Sequence, residues 1–573
     1  MIPEKLHFVR AGRSTRPVTL RLASAAAGLA MFASSQALAQ FDTGGYTSSS
    51  TPQARAQQTK LQKERAQQEG IVDPNAVATG PIPELQVFAA VSLAETYTSN
   101  AAGENGGGAS GYDLYTEPGI HLGLTEQSRH LTASINYSLT GQYHARNHDL
   151  DQLINQLEAM ANAELIEQTL FLDAQASAQP LSLTRTGSLT SLNGTPTDNN
   201  YRNSYAYAVR PTLMHQFGNI AEADLWFSQS GVFFVTPSSA NTTPLPGFFV
   251  PPTNSNTSQI GARIASLDDF VRLRWSLNAS ASDTYQTAHN SQKVRSATAN
   301  LSYSLTNSFS VIGTGGYQTY HSSFLLNKDL DGPTLLGGFQ FAPSPNFYMY
   351  VQAGTQSNYP TYIGALNWNV TPLITVSANA SDQVQTPQQQ LLGNLQNPGG
   401  GIPGSGSGTP SGTGSTPGTT QPGSTGLGSF LGDGLSLDNS VYRYRQYDLV
   451  ATHTLERTQY SLSAFATLRD RLNDIAFSGL NTHEKNYGLR AGVTRSLRRD
   501  LRGSVSFTIS KANEFNGSDR LLEADAGVSY QANETLTFNF NTSVLNRDSN
   551  NLIGFSNGNL TDVRVTVGVN KSF

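Results

Sequence analysis

From Leu85 to Phe573 the sequence changes character at every second residue, and this period constrains the fold more than any other feature. Leu131, Ala133, Ile135, Tyr137 and Leu139 alternate with Thr132, Ser134, Asn136, Ser138 and Thr140. Val271, Leu273, Trp275, Leu277 and Ala279 alternate with Arg272, Arg274, Ser276, Asn278 and Ser280, and Leu501 to Ile509 repeats the pattern. Successive side chains of a strand point to opposite faces, so each segment carries one apolar face and one face of Ser, Thr, Asn or Arg. Segments of about ten residues with this dyad period are the mark of a transmembrane barrel, with lipid outside and water inside. A long soluble solenoid would need a fixed repeat length, and none is present.

Composition agrees. Only 38% of the chain is hydrophobic, too little for a bundle of membrane helices, and 13% is charged, where a soluble domain has about a quarter. The absence of cysteine excludes disulfides and thiolate metal sites. Counted from Leu85, about 22 segments alternate with gaps of two kinds. Longer gaps fall at 99–112, 180–200, 237–257, 322–333, 385–439 and 546–558, and tight ones at 125–128, 218–219, 268–269, 307–308, 371–372 and 533–534. Barrels of this class have short periplasmic turns and long external loops. The expected fold is therefore an all-β, antiparallel outer-membrane β-barrel of about 22 strands over residues 85–573, with both ends of the barrel at the periplasmic rim.

The amino end implies export. Lys5, Arg10, Arg13, Arg16 and Arg21 precede a short apolar run, Leu22 to Ala33, and Ala37-Leu38-Ala39 reads as a small-residue cleavage site. A signal peptide over 1–39, cut between Ala39 and Gln40, is expected, and its loss takes the net charge from −5 to −9. That acidity implies no nucleic-acid partner. Residues 40–84 read as a polar periplasmic tail with a short helix, Thr51 as N-cap, Pro52 at its first position and Gly70 at its far end.

The last segment, "VRVTVGVNKSF", is expected to turn Val563, Val565, Val567 and Val569 to lipid and to close against the first strand near Leu85 to Leu93. Closure satisfies edge groups that lipid cannot. The terminal Phe573 resembles the signal read by the barrel-assembly machinery, although Lys571 departs from the usual residue two places before it. The first hairpin, "VSLAETYTSN" then "YDLYTEPGIHLGL", followed by polar-lined strands, resembles the beta-barrel porin 2 family and its relatives encoded with exopolysaccharide systems. That resemblance implies an outer-membrane barrel linked to polysaccharide secretion, with periplasmic or inner-membrane export components docking through residues 40–84. Siderophore-type transporters also have 22 strands, but they place a folded plug ahead of the barrel, and only about 45 mature residues precede Leu85 here.

No catalytic, cofactor-binding or metal-ligating set is expected: the ten His are scattered, and His121, His144 and His215 read as polar groups of the wall. Arg210, Arg272, Arg274, Arg490, Arg502 and Arg564 fall on the polar face and are the candidate pore-lining basic residues, set against Asp173, Glu523 and Asp525. They either brace the wall by pairing or form a basic entrance from Arg272, Arg274 and Arg502. Asn397 to Gly428, rich in Gly, Pro and Ser, reads as a disordered external loop, the alternative being a lid that folds into the pore. Tyr205, Tyr207, Tyr348, Tyr350, Tyr442 and Tyr444 read mostly as girdle residues. The functional expectation is a non-enzymatic, passive conduit for export of an exopolysaccharide. Its alternatives are a general diffusion porin and a non-transporting barrel that anchors or displays surface material.

Overall fold

The computed structural model describes residues 85–101, 111–182, 201–235, 253–267, 270, 272–287, 290–323, 330–396, 441–472, 483–514, 517–551 and 559–573. The expected signal peptide with its Ala39/Gln40 cleavage, the tail over 40–84 and the Asn397–Gly428 segment lie outside them. The strands are β1 (Leu85–Thr98), β2 (Asp113–Gln127), β3 (Leu131–His144), β4 (Gln152–Ile166), β5 (Leu170–Ser182), β6 (Tyr201–Phe217), β7 (Ala221–Val235) and β8 (Ser255–Ser266). They continue with β9 (Leu273–Gln286), β10 (Asn290–Ser304), β11 (Phe309–Ser322), β12 (Gly332–Ser344), β13 (Phe347–Gln356), β14 (Tyr359–Thr371) and β15 (Ile374–Gln385). After one helix, α1 (Pro387–Gln396), come β16 (Tyr442–Thr454), β17 (Thr458–Arg471), β18 (His483–Ser496), β19 (Leu501–Glu514), β20 (Gly517–Gln531), β21 (Leu536–Asn551) and β22 (Leu560–Ser572).

Every strand pairs antiparallel with its neighbours in sequence, and β1 pairs with β22, so the 22-stranded sheet closes on itself. Closure runs from Ala90↔Ser572 to Thr98↔Arg564, farther along β1 than the expected Leu85 to Leu93. The tilt of barrel strands staggers first against last, which moves the contact toward the loop end. Val567 is exposed on the outer face, and Leu93, exposed on the same face of β1, is the register partner of Val569 across the seam, as the alternation requires.

The outer face is a lipid-facing band. Along β6, Tyr205, Val209, Leu213 and Phe217 are all exposed. From Tyr205 to Phe217 is about 40 Å at roughly 3.3 Å per residue, or about 30 Å along the normal at a tilt near 40°. An exposed apolar face of that height, on a barrel with no free edge, has lipid as its solvent. The protein is an outer-membrane β-barrel.

Connections at one end run two to six residues and hold the expected tight turns, such as Ser128–His130, where β2 extends through most of the expected turn at 125–128. Gly218, with φ +59°, takes the left-handed position in the β6–β7 turn, a conformation that only glycine adopts without penalty. The opposite, external end carries the long connections, but three connections there span only two or three residues, between β9 and β10, β13 and β14, and β19 and β20. Ser357 and Asn358 both have positive φ (48° and 67°), the two-residue geometry that matches strand twist. The expected loop at 546–558 is also shorter, because β21 reaches Asn551.

Candidate functional site

The connection between β15 and β16 does not simply leave the barrel. At its start stands a helix built by local rules. Thr386 caps it: the Gln389 backbone N–H donates to Thr386 Oγ1 at 3.2 Å, and the Thr386 N–H donates to Gln389 Oε1 at 2.9 Å. This reciprocal pair is a capping box, and Pro387 occupies the first helical position, where its missing N–H costs nothing. Thr386, Gln388, Gln389, Gln390, Leu391 and Leu392 are all buried.

α1 lies against the opposite wall, touching β5, β6 and β7. Leu391 and Leu392 pack with Ala206, Ala208 and Val232, and Phe234 lies against the group. Tyr205 and Val209 on β6 are exposed to lipid, so Ala206 and Ala208, of the other parity, face inward. All of these positions lie toward the external ends of β6 and β7. The helix thus crosses the external mouth from β15 to a patch of small residues on the far side. The expectation of an outlying loop from residue 385 onward is corrected for residues 386–396. The lid alternative concerns Asn397 to Gly428, outside the described residues.

On the inner face of β16 to β18, Arg469 is enclosed by aromatic rings. Its guanidinium lies 4.1 Å from the centroid of Tyr442 and 5.9 Å from that of Tyr444, and it is ion-paired with Glu484. Arg471 donates to the Tyr442 hydroxyl at 2.9 Å. Tyr350, Tyr442 and Tyr444 are buried inside, so the girdle explains Tyr205 and Tyr207 but not these three, while Tyr348 is half-buried on the same face as Tyr350. Period two shows only that a tyrosine shares a face with its neighbours; in β16 and β17 the arginines that enclose it come from an adjacent strand.

The closing seam holds a second polar cluster. Asp562 accepts from the Thr98 hydroxyl at 2.8 Å, from the Asn100 N–H at 3.1 Å and from Arg564 Nε at 2.6 Å. Beside it, the buried His144 has Nδ1 3.2 Å from Asp113 Oδ2. Among the described residues no three His, Asp or Glu are grouped to hold a metal ion.

The structure distributes the six candidate arginines and does not gather them. Arg564 is buried and paired with Asp562. Arg490 lies 3.4 Å from the Thr508 hydroxyl. Arg210 stacks 4.5 Å over Trp226 and stands in register with Asp173. Arg274 and Arg502 are exposed near the short-turn ends of β9 and β19, and Arg272 is exposed just before β9. With nine strands between them one way round the ring of 22 and eleven the other, β9 and β19 place these arginines on opposite walls. The inner face also carries Glu117, Glu222, Asp224, Glu484, Asp519 and Asp562, and three inner arginines, Arg263, Arg469 and Arg564, are ion-paired with Asp224, Glu484 and Asp562.

No protein-family model and no curated protein matches this chain. Solved structures do share its form. The FrpB iron transporter from Neisseria meningitidis is similar at 10% identity, over 85% of this chain and 82% of that one, with a TM-score of 0.38. The siderophore receptor PirA from Acinetobacter baumannii is similar at 7% identity, over 85% and 80%, with a TM-score of 0.40. FpvA of P. aeruginosa is similar at 9% identity, over 85% and 72%, with a TM-score of 0.38. The expectation of a passive exopolysaccharide conduit, with its porin and anchor alternatives, is corrected here. The solved barrels similar to this chain are an iron transporter and siderophore receptors. In addition, a helix stands in the mouth through which a polymer would leave.

Proposed function

We propose that this barrel is a gated outer-membrane passage for small polar solutes, with α1 closing its external mouth. The observation that carries this reading is the seating of Leu391 and Leu392 on Ala206, Ala208 and Val232 across the lumen. Burying one Leu side chain is worth about 1.5–3 kcal/mol, so the two hold the helix by roughly 3–6 kcal/mol. A ligand must supply about 5.5 kcal/mol of differential affinity to move a two-state equilibrium from 1:99 to 99:1. The hold is therefore strong enough to keep the mouth shut at rest and weak enough for a bound solute to release. Ser, Thr, Asn and Gln on the inner face, with arginines paired to carboxylates, suit solutes that exchange water for hydrogen bonds.

Planar-bilayer recording tests this. Leu391→Ser combined with Leu392→Ser should raise the open fraction by at least tenfold over the wild type. Because the chain has no cysteine, Val232→Cys with Leu392→Cys gives a reversible lock: oxidation should shut the pore and reduction restore it. Conductance and open fraction unchanged in both variants would refute α1 as the closure.

A further inference from the structure

Among the described residues, cations on the outer face near the external rim fall into two groups, apart from Lys293, which is exposed without an ion pair and stands by itself on β10. Those of the first have carboxylates: Arg443 pairs with Asp382, Arg445 with Asp470, and Arg295 with Asp283 at 3.3 Å. The second group is Lys485 on β18, Lys511 on β19 and Arg520 on β20, all exposed and none ion-paired with a described residue. Alternation puts each on the lipid-facing side. Lys485 shares its face with the exposed Tyr487 and Leu489, and Lys511 with Val505 and Phe507. Arg520 shares its face with Val528 and Tyr530. All three lie at the external ends of their strands, one step beyond the band that Tyr487 borders.

Their mutual placement is unfavourable without a counter-ion. Lys511 and Arg520 are register partners on adjacent strands, where like charges directly opposite destabilise the pair. Lys485 is diagonal to Lys511, since Tyr487 is the residue opposite Lys511, about 7–8 Å away by strand geometry. Asp548 stands opposite Arg520 on β21, but no ion pair forms between them. Three cations thus form a patch at headgroup depth directly above aromatic and aliphatic side chains. The complementary occupant is an amphiphile with a phosphorylated headgroup: its phosphates meet the cations, and its acyl chains lie against Tyr487, Leu489 and Phe507.

We infer that the outer face of β18 to β20 binds the phosphate groups of an outer-leaflet lipid through Lys485, Lys511 and Arg520. The patch is independent of the gate, since its residues lie on the opposite side of the wall. The test is lipid retention by the full-length barrel, folded into phosphatidylcholine vesicles containing bisphosphorylated lipid A or its dephosphorylated form, then extracted in detergent and analysed by native mass spectrometry. The wild type should carry bisphosphorylated lipid A in preference to the dephosphorylated form. Lys485→Gln with Lys511→Gln and Arg520→Gln should weaken retention on the order of 100-fold, since each base near an anionic surface contributes about one factor of five. A second variant separates binding from folding: Lys511→Glu removes the like-charge pair, so it should raise the melting temperature in lipid-free detergent while abolishing retention. Equal retention of the two lipid forms, equal retention by the triple variant, or displacement of the lipid by millimolar inorganic phosphate would overturn the assignment, the last by showing a site for a soluble anion.

Discussion

Arg469 and Glu484 are register partners across β17 and β18, and their side chains are 1% and 2% exposed. Neither charge reaches solvent, so each depends on the other and on the Tyr442 and Tyr444 rings around the guanidinium. Removing one member of a buried pair leaves the other uncompensated, at about 3–5 kcal/mol, whereas replacing both with apolar groups of similar volume is often neutral. Glu484→Gln should therefore lower the melting temperature of the detergent-solubilised barrel sharply, and Arg469→Met with Glu484→Leu should recover most of the loss. Equal melting of the two variants would mean that the pair is not the source of the stability.

Asp562 should matter to closure more than Asp548, an exposed acid of the neighbouring strand β21. It joins β22 to Thr98 and Asn100 while holding Arg564. Asp562→Ala orphans a buried guanidinium as well as breaking the β1–β22 link, so a loss of about 3–5 kcal/mol is expected. Asp548→Ala, at an exposed position, should stay within about 0.5 kcal/mol. Heat-modifiability on gels, scored as the temperature at which the folded band disappears, ranks the two directly.

The capping box gives a graded handle on the gate. Thr386→Ala removes the side chain that accepts from Gln389, and loss of such a cap costs about 1 kcal/mol. If α1 must be helical to seat its leucines, the open fraction rises roughly fivefold, less than for the leucine variants. Thr386→Ser keeps the acceptor and should leave gating at the wild-type level.

Arg272, Arg274 and Arg502 are exposed at the short-turn end without an ion pair to a described residue. Replacing all three with Ser should shift the reversal potential across a KCl gradient toward cation preference. The shift should be larger in dilute salt, because the screening length grows to about 30 Å at 0.01 M. An unchanged reversal potential at every salt concentration would remove these arginines from the conduction path.

The two-residue period determined most of the fold. It assigned Val567 and Leu277 to lipid and Ser276 and Arg564 to the inside, and the alternation of tight and long gaps gave the strand number and the external end. These properties are local: a strand's faces follow from its own sequence, and a turn from the few residues in it. The α1 start signal was local too, since Thr386, Pro387 and Gln389 spell a capped helix before Leu391 and Leu392. What no local pattern carries is where that helix goes. Ala206, Ala208 and Val232 lie far away in the chain, and only the closed ring brings their wall opposite β15. The same holds for charge. Arg564 and Arg502 look alike in sequence, but Arg564 meets Asp562 in the seam while Arg502 stands open at a rim. The sequence by itself determined which face each side chain takes; the tertiary structure decided which side chains meet, because a charge or a leucine acquires its partner only when the ring closes around it.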